Sequence, residues 1–429
     1  MNFERATLTK ILVIILLVFK ELLSTYTSDN FAKIKSSLNI SIKNEAWNHL
    51  IKRLEKRLDK IWAKEYNNII PEIQFQRLLH SDGQFPESIA HKIRKRGIIV
   101  IRNVVKQSEI QEEQSSLIEY IFSNQSFDEN DTQKLDTILW SKPQQRLRQN
   151  SNLQKVEKAL LQLFFTKNNT HLDLKTPITL VDGLRIRIPS KNKSVSNKIK
   201  MVSGQCIERW RDPAYHQVYR HLLHSQLDDY DPFEMDHRLN VGKNTISRHT
   251  TIFRPFQGWI AMSHLREGSL EVFPILKEAT GYFILRPFMK DIPNKLFPGC
   301  LPGKPLELSP LYHPLLYNNM IPIPALNPGD TVWWHEDLIY SESNDVETTE
   351  SAIRLLTGPD CEINRHYLRK QRHSFTLKKK YFDEVESNNV NEKGFNGGCS
   401  YEDLSSLGKR MMGWSKTDQI EERNQCYCT

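Results

Sequence analysis

The order of elements along the chain predicts an α+β protein with an antiparallel β core, built as a sandwich or a jelly roll. Two observations carry this. Helical spacing governs the first part of the chain, and from about residue 177 short β-rich runs take over, separated by Gly, Pro, Asn and Ser turns without helical crossovers. A third observation bounds the size: 429 residues with 39% apolar and 26% charged content suit a globular chain with a large core.

The first segment carries Arg5 and Lys10 ahead of an unbroken apolar run, Ile11 to Phe19. Nine helical residues rise about 14 Å, well short of a bilayer core of about 30 Å. Its length suits a signal-peptide core, yet no small-x-small cleavage site follows. Residues 1–25 therefore stand as a signal, an anchor or the greasy first helix of a soluble protein, and the compartment stays open between cytoplasm and secretory pathway. Triplets of the form N-x-S/T begin at Asn39, Asn124, Asn130, Asn168 and Asn192, in a chain rich enough in asparagine to produce some by chance.

Residues 40–80 read as an amphipathic helical arm, with Leu50, Ile51, Leu54, Leu58, Ile61 and Trp62 on one face and basic residues opposite. Residues 85–420 read as the main domain. It opens with a helix ending at Gly97, the strand "IIVIRNVV", a helix capped by Ser108 with Glu112 in its first turn, and a helix over "NLQKVEKALLQLFF". The strand runs "ITLVDGLRIRIP", "TTIFRPFQGWIAMSHL", "SLEVFPIL", "ATGYFILRPF" and "DTVWWHEDLIY" follow, then a loop and a final helix around "LSSLGKRMMGW".

The formal charge of +8 is spread along the chain in short runs. No nucleic-acid motif accompanies it, so nucleic acid is not an expected partner. Six cysteines without CxxC spacing read as ordinary thiols of a reducing compartment rather than a disulfide framework or a zinc site. No P-loop, GxSxG elbow, GxGxxG or HExxH pattern is present.

Three H-x-D triplets occur: His80/Asp82, His171/Asp173 and His335/Asp337. A facial-triad iron site needs two histidines and a carboxylate on one side of the metal. Only His335/Asp337, in "PGDTVWWHEDLIY", follows a turn on or near a strand, where both side chains would share a face. A core histidine with satisfied hydrogen bonds fits the same pattern. Arg185 and Arg187 share a strand face in "GLRIRIP", and "FRPFQGW" adds Arg254 and Gln257. Inward arginines are costly unless paired, so these four are candidates for holding an anionic ligand, or are paired with structural acids.

Taken together, "DGLRIRIP", "IERWRDPAYHQVYRHLL", "DYDPFEMDHR", "FRPFQGWIAMS", "GSLEVFPILKEATGYFILRPF" and "IPIPALNPGDTVWWHEDLIY" resemble a fungal and bacterial family related to an N-acetylglucosamine-induced fungal protein. The resemblance runs over roughly residues 85–415. It implies a distorted double-stranded β-helix of the 2-oxoglutarate/Fe(II) oxygenase superfamily, flanked by helices. In relatives a Pro-His-x-Asp motif precedes "ERW", and a second histidine lies three residues beyond Trp-His-x-Asp. Here Met201 and Ser203 stand at the first two ligand positions and Tyr340 at the third. A thioether, a neutral hydroxyl and a phenol are poor ligands for ferrous iron.

The reading that follows is an oxygenase-like pseudoenzyme without a resident metal or cofactor, which binds a small anionic metabolite or serves regulation. The first alternative is an Fe(II)- and 2-oxoglutarate-dependent oxygenase with rearranged ligands, His335, Asp337 and His249 being the candidates. The second is an interaction protein tethered to a membrane through residues 1–25 and the basic helix at Lys52–Lys60. Oligomeric state is not readable from the chain.

Overall fold

A computed structural model describes residues 30–414, except 39, 41, 43, 66–68, 82, 125–137, 169–171, 173, 190–197, 205, 242–251, 302–303 and 378–396. The apolar segment 1–25 lies outside the described residues, as do His171, Asp173 and His249. No described helix is long and apolar enough to cross a membrane.

The arm forms helix α1 (Asn44–Lys60), which buries Leu50, Leu54 and Leu58. Full burial of each contributes roughly 1.5–3 kcal/mol. Beside that stripe Arg53 and Arg57 pair with the buried Glu278. Trp62, expected on the apolar face, is instead 48% exposed, where the helix widens into a short π turn at Ile61–Glu65 that shifts the register of the face. Strand β1 (Glu72–Gln74) follows, then α2 (Glu87–Arg96), which ends where Gly97 adopts φ +74°. Only glycine takes that left-handed cap without penalty. Strand β2 (Ile98–Arg102) buries Ile98 through Ile101 completely, which explains its unbroken apolar run. Helix α3 (Gln107–Asn124) starts one residue before Ser108, so that serine sits within the first turn rather than capping it. Helices α4 (Lys142–Arg148) and α5 (Ser151–Leu161) begin at Ser141 and Asn150, whose side chains cap the next free backbone N–H groups.

Two sheets make the core. The strands β3 (Pro177–Leu180), β4 (Leu184–Arg187), β5 (Met201–Val202), β6 (Phe256–Ala261), β7 (Leu270–Val272), β8 (Leu306–Glu307), β9 (Ile321–Pro322), β10 (Thr331–His335), β11 (Ile339–Glu342) and β12 (Glu350–Pro359) follow in order. The larger sheet runs β1-β2-β10-β6-β12-β3, with β4 also on β12. The smaller runs β8-β5-β11-β7-β9. Pairing is antiparallel except between β1 and β2. The sheets face one another without closing into a barrel, as in a distorted jelly roll, and the fold class is α+β.

Side-chain alternation sets what each face offers. Register places Trp334 beside Gln257 and Val332 beside Trp259, and these point toward the smaller sheet. There the Tyr340 ring lies 5.3 Å from that of Trp334. Trp333, Gly258 and Ile260 take the opposite face.

The strand expected over "ATGYFILRPF" is a helix instead, Leu276–Leu285. Nearly all of its residues are buried, so no polar stripe betrays helical period and the apolar run reads equally as strand. β12, the ten-residue strand beside β6, was not singled out, nor was the helix Glu362–Leu377. The closing helix forms at Ser406–Met411, as its sequence predicts.

Candidate functional site

The smaller sheet brings Met201, Ser203 and Tyr340 together. Met201 on β5 is the direct cross-strand partner of Tyr340 on β11. Ser203, just past β5, donates from Oγ to the Tyr340 hydroxyl at 3.3 Å. From the larger sheet, the Gln257 amide Nε2 donates to Ser203 Oγ. Ser203 also accepts at its backbone oxygen from Arg209, at 2.7 Å. Burial pushes the Tyr340 phenol above its ordinary range, so it stays protonated at neutral pH.

This donor set does not fit ferrous iron. A thioether, a hydroxyl and a neutral phenol supply neither imidazole nor negative charge, and a hard divalent ion needs both geometry and charge from its ligands. The hydroxyls instead satisfy one another and Gln257. Among the described residues no group of three His, Cys, Asp or Glu side chains gathers in a metal-binding cluster.

His335 and Asp337 lie elsewhere. Strand β10 ends at His335, and Asp337 falls in the following turn, so strand alternation does not relate them. His335 occupies the face opposite Trp334. Its ring stacks on Phe164 at 5.6 Å and packs against Phe233 and Phe256. Its Nδ1 accepts from the Asp337 backbone N–H at 3.1 Å, so Nε2 carries the proton and donates to the Pro232 carbonyl at 3.2 Å. Burial, reinforced by the Arg238 charge, drives this imidazole down to about 3.

Asp337 is the anion of a buried network that sequence reasoning missed. Its carboxylate accepts from Tyr219 at 2.8 Å and Arg238 at 2.7 Å, with Arg209 at 3.5 Å. Burial alone would raise its pKa, but Arg238 and Arg209 outweigh burial and hold it well below the usual carboxylate range. Arg238 also reaches Glu336 and the Tyr230 hydroxyl. The segments "ERW", "DPAYHQVY" and "DYDPFEMDHR" thus converge on one carboxylate. No spacing rule could reveal it, since Arg238 and Asp337 are 99 positions apart. Arg209 links this network to the Ser203 turn.

The four arginine and glutamine candidates divide. Arg185 is wholly buried, donating to Glu350 at 3.0 Å and to the Ser343 carbonyl at 3.0 Å while stacked 4.6 Å over Trp259. Arg187 donates to Asn344 at 2.8 Å and lies 3.4 Å from Glu342. Both are tied into protein. Gln257 joins the Ser203–Tyr340 pair. Arg254, half-buried two residues ahead of β6, makes no hydrogen bond or ion pair with the described residues, and its charge works against the upward push of burial on the Tyr340 phenol. His80 is exposed at the end of a short helix.

Fold and site define a two-sheet α+β protein of jelly-roll type whose central cluster is neutral and hydrogen-bonded internally. The chain belongs to the Gig2-like family, whose model matches residues 25–414. This bears out the resemblance read from the motifs. The uncharacterised protein YbiU of Escherichia coli K12 is 29% identical over 343 residues, 75% of this chain and 80% of that protein. The crystal structure of GlcNAc-inducible gene 2 from Candida albicans superposes with a TM-score of 0.78 at 27% identity, covering 92% of this chain and 93% of that one. A Salmonella typhimurium LT2 protein, named provisionally as an oxidoreductase, superposes with a TM-score of 0.80 at 25% identity over 90% and 97% of the two chains.

Proposed function

We propose that this chain is a non-catalytic member of an oxygenase-type fold that binds a small organic anion between its sheets. The observation that carries the reading is the replacement at one place in space: Met201, Ser203 and Tyr340 meet across β5 and β11 and offer no charged ligand. Arg254, whose charge is felt at Tyr340, forms no ion pair with a described acid. Together with Gln257, Ser203 and Tyr340 it would offer a cation and neutral hydrogen-bonding groups, the chemistry that suits a carboxylate with a polar tail. A regulatory role would follow from binding without turnover. The reading with rearranged ligands finds less support, because both ring nitrogens of His335 and both oxygens of Asp337 already hold partners.

The test is calorimetric titration of the full chain with 2-oxoglutarate, succinate and citrate, without added metal. At least one should bind saturably, and Arg254→Gln should weaken it about tenfold or more, the usual scale of a charge-assisted hydrogen bond. Stoichiometric iron in freshly purified protein, or Fe(II)-dependent consumption of 2-oxoglutarate, would overturn the proposal.

A further inference from the structure

Cys206 and Cys300 form a disulfide, with Cα atoms 5.6 Å apart and 94 positions between them in sequence. This corrects the expectation of ordinary thiols. The pairing is invisible in the sequence because it depends on β5 and β8 becoming neighbours. Cys361 and Cys399 are buried and take no part in this bridge.

The bridge sits beside the cluster just described. Cys206 is three residues beyond Ser203, in the turn that leads to Arg209. Its backbone N–H donates to the Lys304 carbonyl at 2.8 Å. Cys300 belongs to the loop that returns into β8, and Glu307 donates from its N–H to the Gly299 carbonyl at 3.0 Å. Gly299 has φ +72°, and a Cβ there would collide with the Glu307 carbonyl, so the loop lies flush on the strand.

The strand ladder at this edge is short. β5 and β8 are each two residues long, and β8 is the outermost strand of its sheet. Two-residue pairings supply few ladder hydrogen bonds, and short edge segments open locally at low cost. By contrast, β6 pairs with β12 over six residues and with β10 over five. Leu301, next to Cys300, is 62% exposed, while Cys300 itself is 5% and Cys206 0% exposed. Of the pair, Cys300 alone keeps residual exposure, so exchange with a reductant would begin from its side.

We infer that the Cys206–Cys300 bond is a redox-sensitive latch on the Ser203 turn. Oxidised, it fixes Met201 and Ser203 against Tyr340. Reduced, it releases the β5–β8 edge while the larger sheet stays folded. The step is thiol–disulfide exchange with a dithiol: its thiolate attacks one sulfur, the S–S bond breaks, and two electrons and two protons pass to the pair. Cys206 and Cys300 end as thiols and the dithiol as its own disulfide. This inference does not require a bound anion.

Hydrogen exchange read by mass spectrometry on the full chain tests it, before and after dithiothreitol, with Cys206→Ser as a second route to the open state. Peptides spanning 199–210 and 297–308 should exchange about tenfold faster or more after reduction, while 256–261 and 350–359 keep their rates. Wild-type reduction decides the matter even where the variant folds poorly. Unchanged exchange at the edge, loss of protection spreading through 256–261 and 350–359, or alkylation of both cysteines in protein purified without reductant would each overturn the latch.

Discussion

His335 shows how a residue that reads as a metal ligand becomes a core residue. Its hydrogen bonds to Asp337 and Pro232 and its three phenylalanine neighbours leave it neutral, with a pKa of about 3. An unfolded histidine titrates near 6.5. Between those values the unfolded chain binds a proton that the folded chain refuses, so this group favours unfolding progressively as pH falls from about 6.5 toward 3. The expected slope is roughly 1 kcal/mol per pH unit across that window, and His335→Gln should flatten it. Urea unfolding at stepped pH measures both; an equal slope in the variant would assign the acid sensitivity elsewhere. Asp337 acts lower still. Its depressed pKa gives stability that is present above the unfolded carboxylate value of about 3.9 and lost only as pH falls through the folded one.

At the scale of the element, β6 explains why a strand near the centre of a sheet tolerates glycine. A Cβ at Gly258 would lie 2.7 Å from the Trp333 ring and closer still to the Val332 carbonyl. The missing side chain lets the β10 tryptophan lie flat across β6. Gly258→Ala should therefore destabilise the protein by about 1–3 kcal/mol through overpacking, measured as a lowered urea midpoint. A midpoint unchanged within error would show that Trp333 can move aside. Legibility differs between elements for a physical reason. α2 and β2 were readable because Gly97 and the Ile98–Ile101 run announce a stop and a doubly buried strand. The helix Leu276–Leu285 was not, because burial on all sides erases the periodicity that separates helix from strand.

Across the whole molecule, the two sheets decide which distant residues meet. Met201, Ser203 and Tyr340 come together through the β5–β11 register, while His335 and Asp337 are turned into the network behind β10. If the cluster is a vacated ligand set, Met201→His/Ser203→Asp/Tyr340→His should take up about one Fe(II) per chain where the parent takes none, read by metal analysis after desalting. A triple variant that folds by circular dichroism yet binds no iron would sink that view. The sequence by itself determined the α+β class, the family and most strand positions. These rest on local patterning and on motifs contiguous in the chain. Only the tertiary structure decided that Arg185 serves Glu350, that Arg238 and Tyr219 serve Asp337, and that Cys206 meets Cys300. Each of those pairings spans 94 or more positions, and long-range partners are chosen by strand register and burial, which leave no periodic trace in the chain.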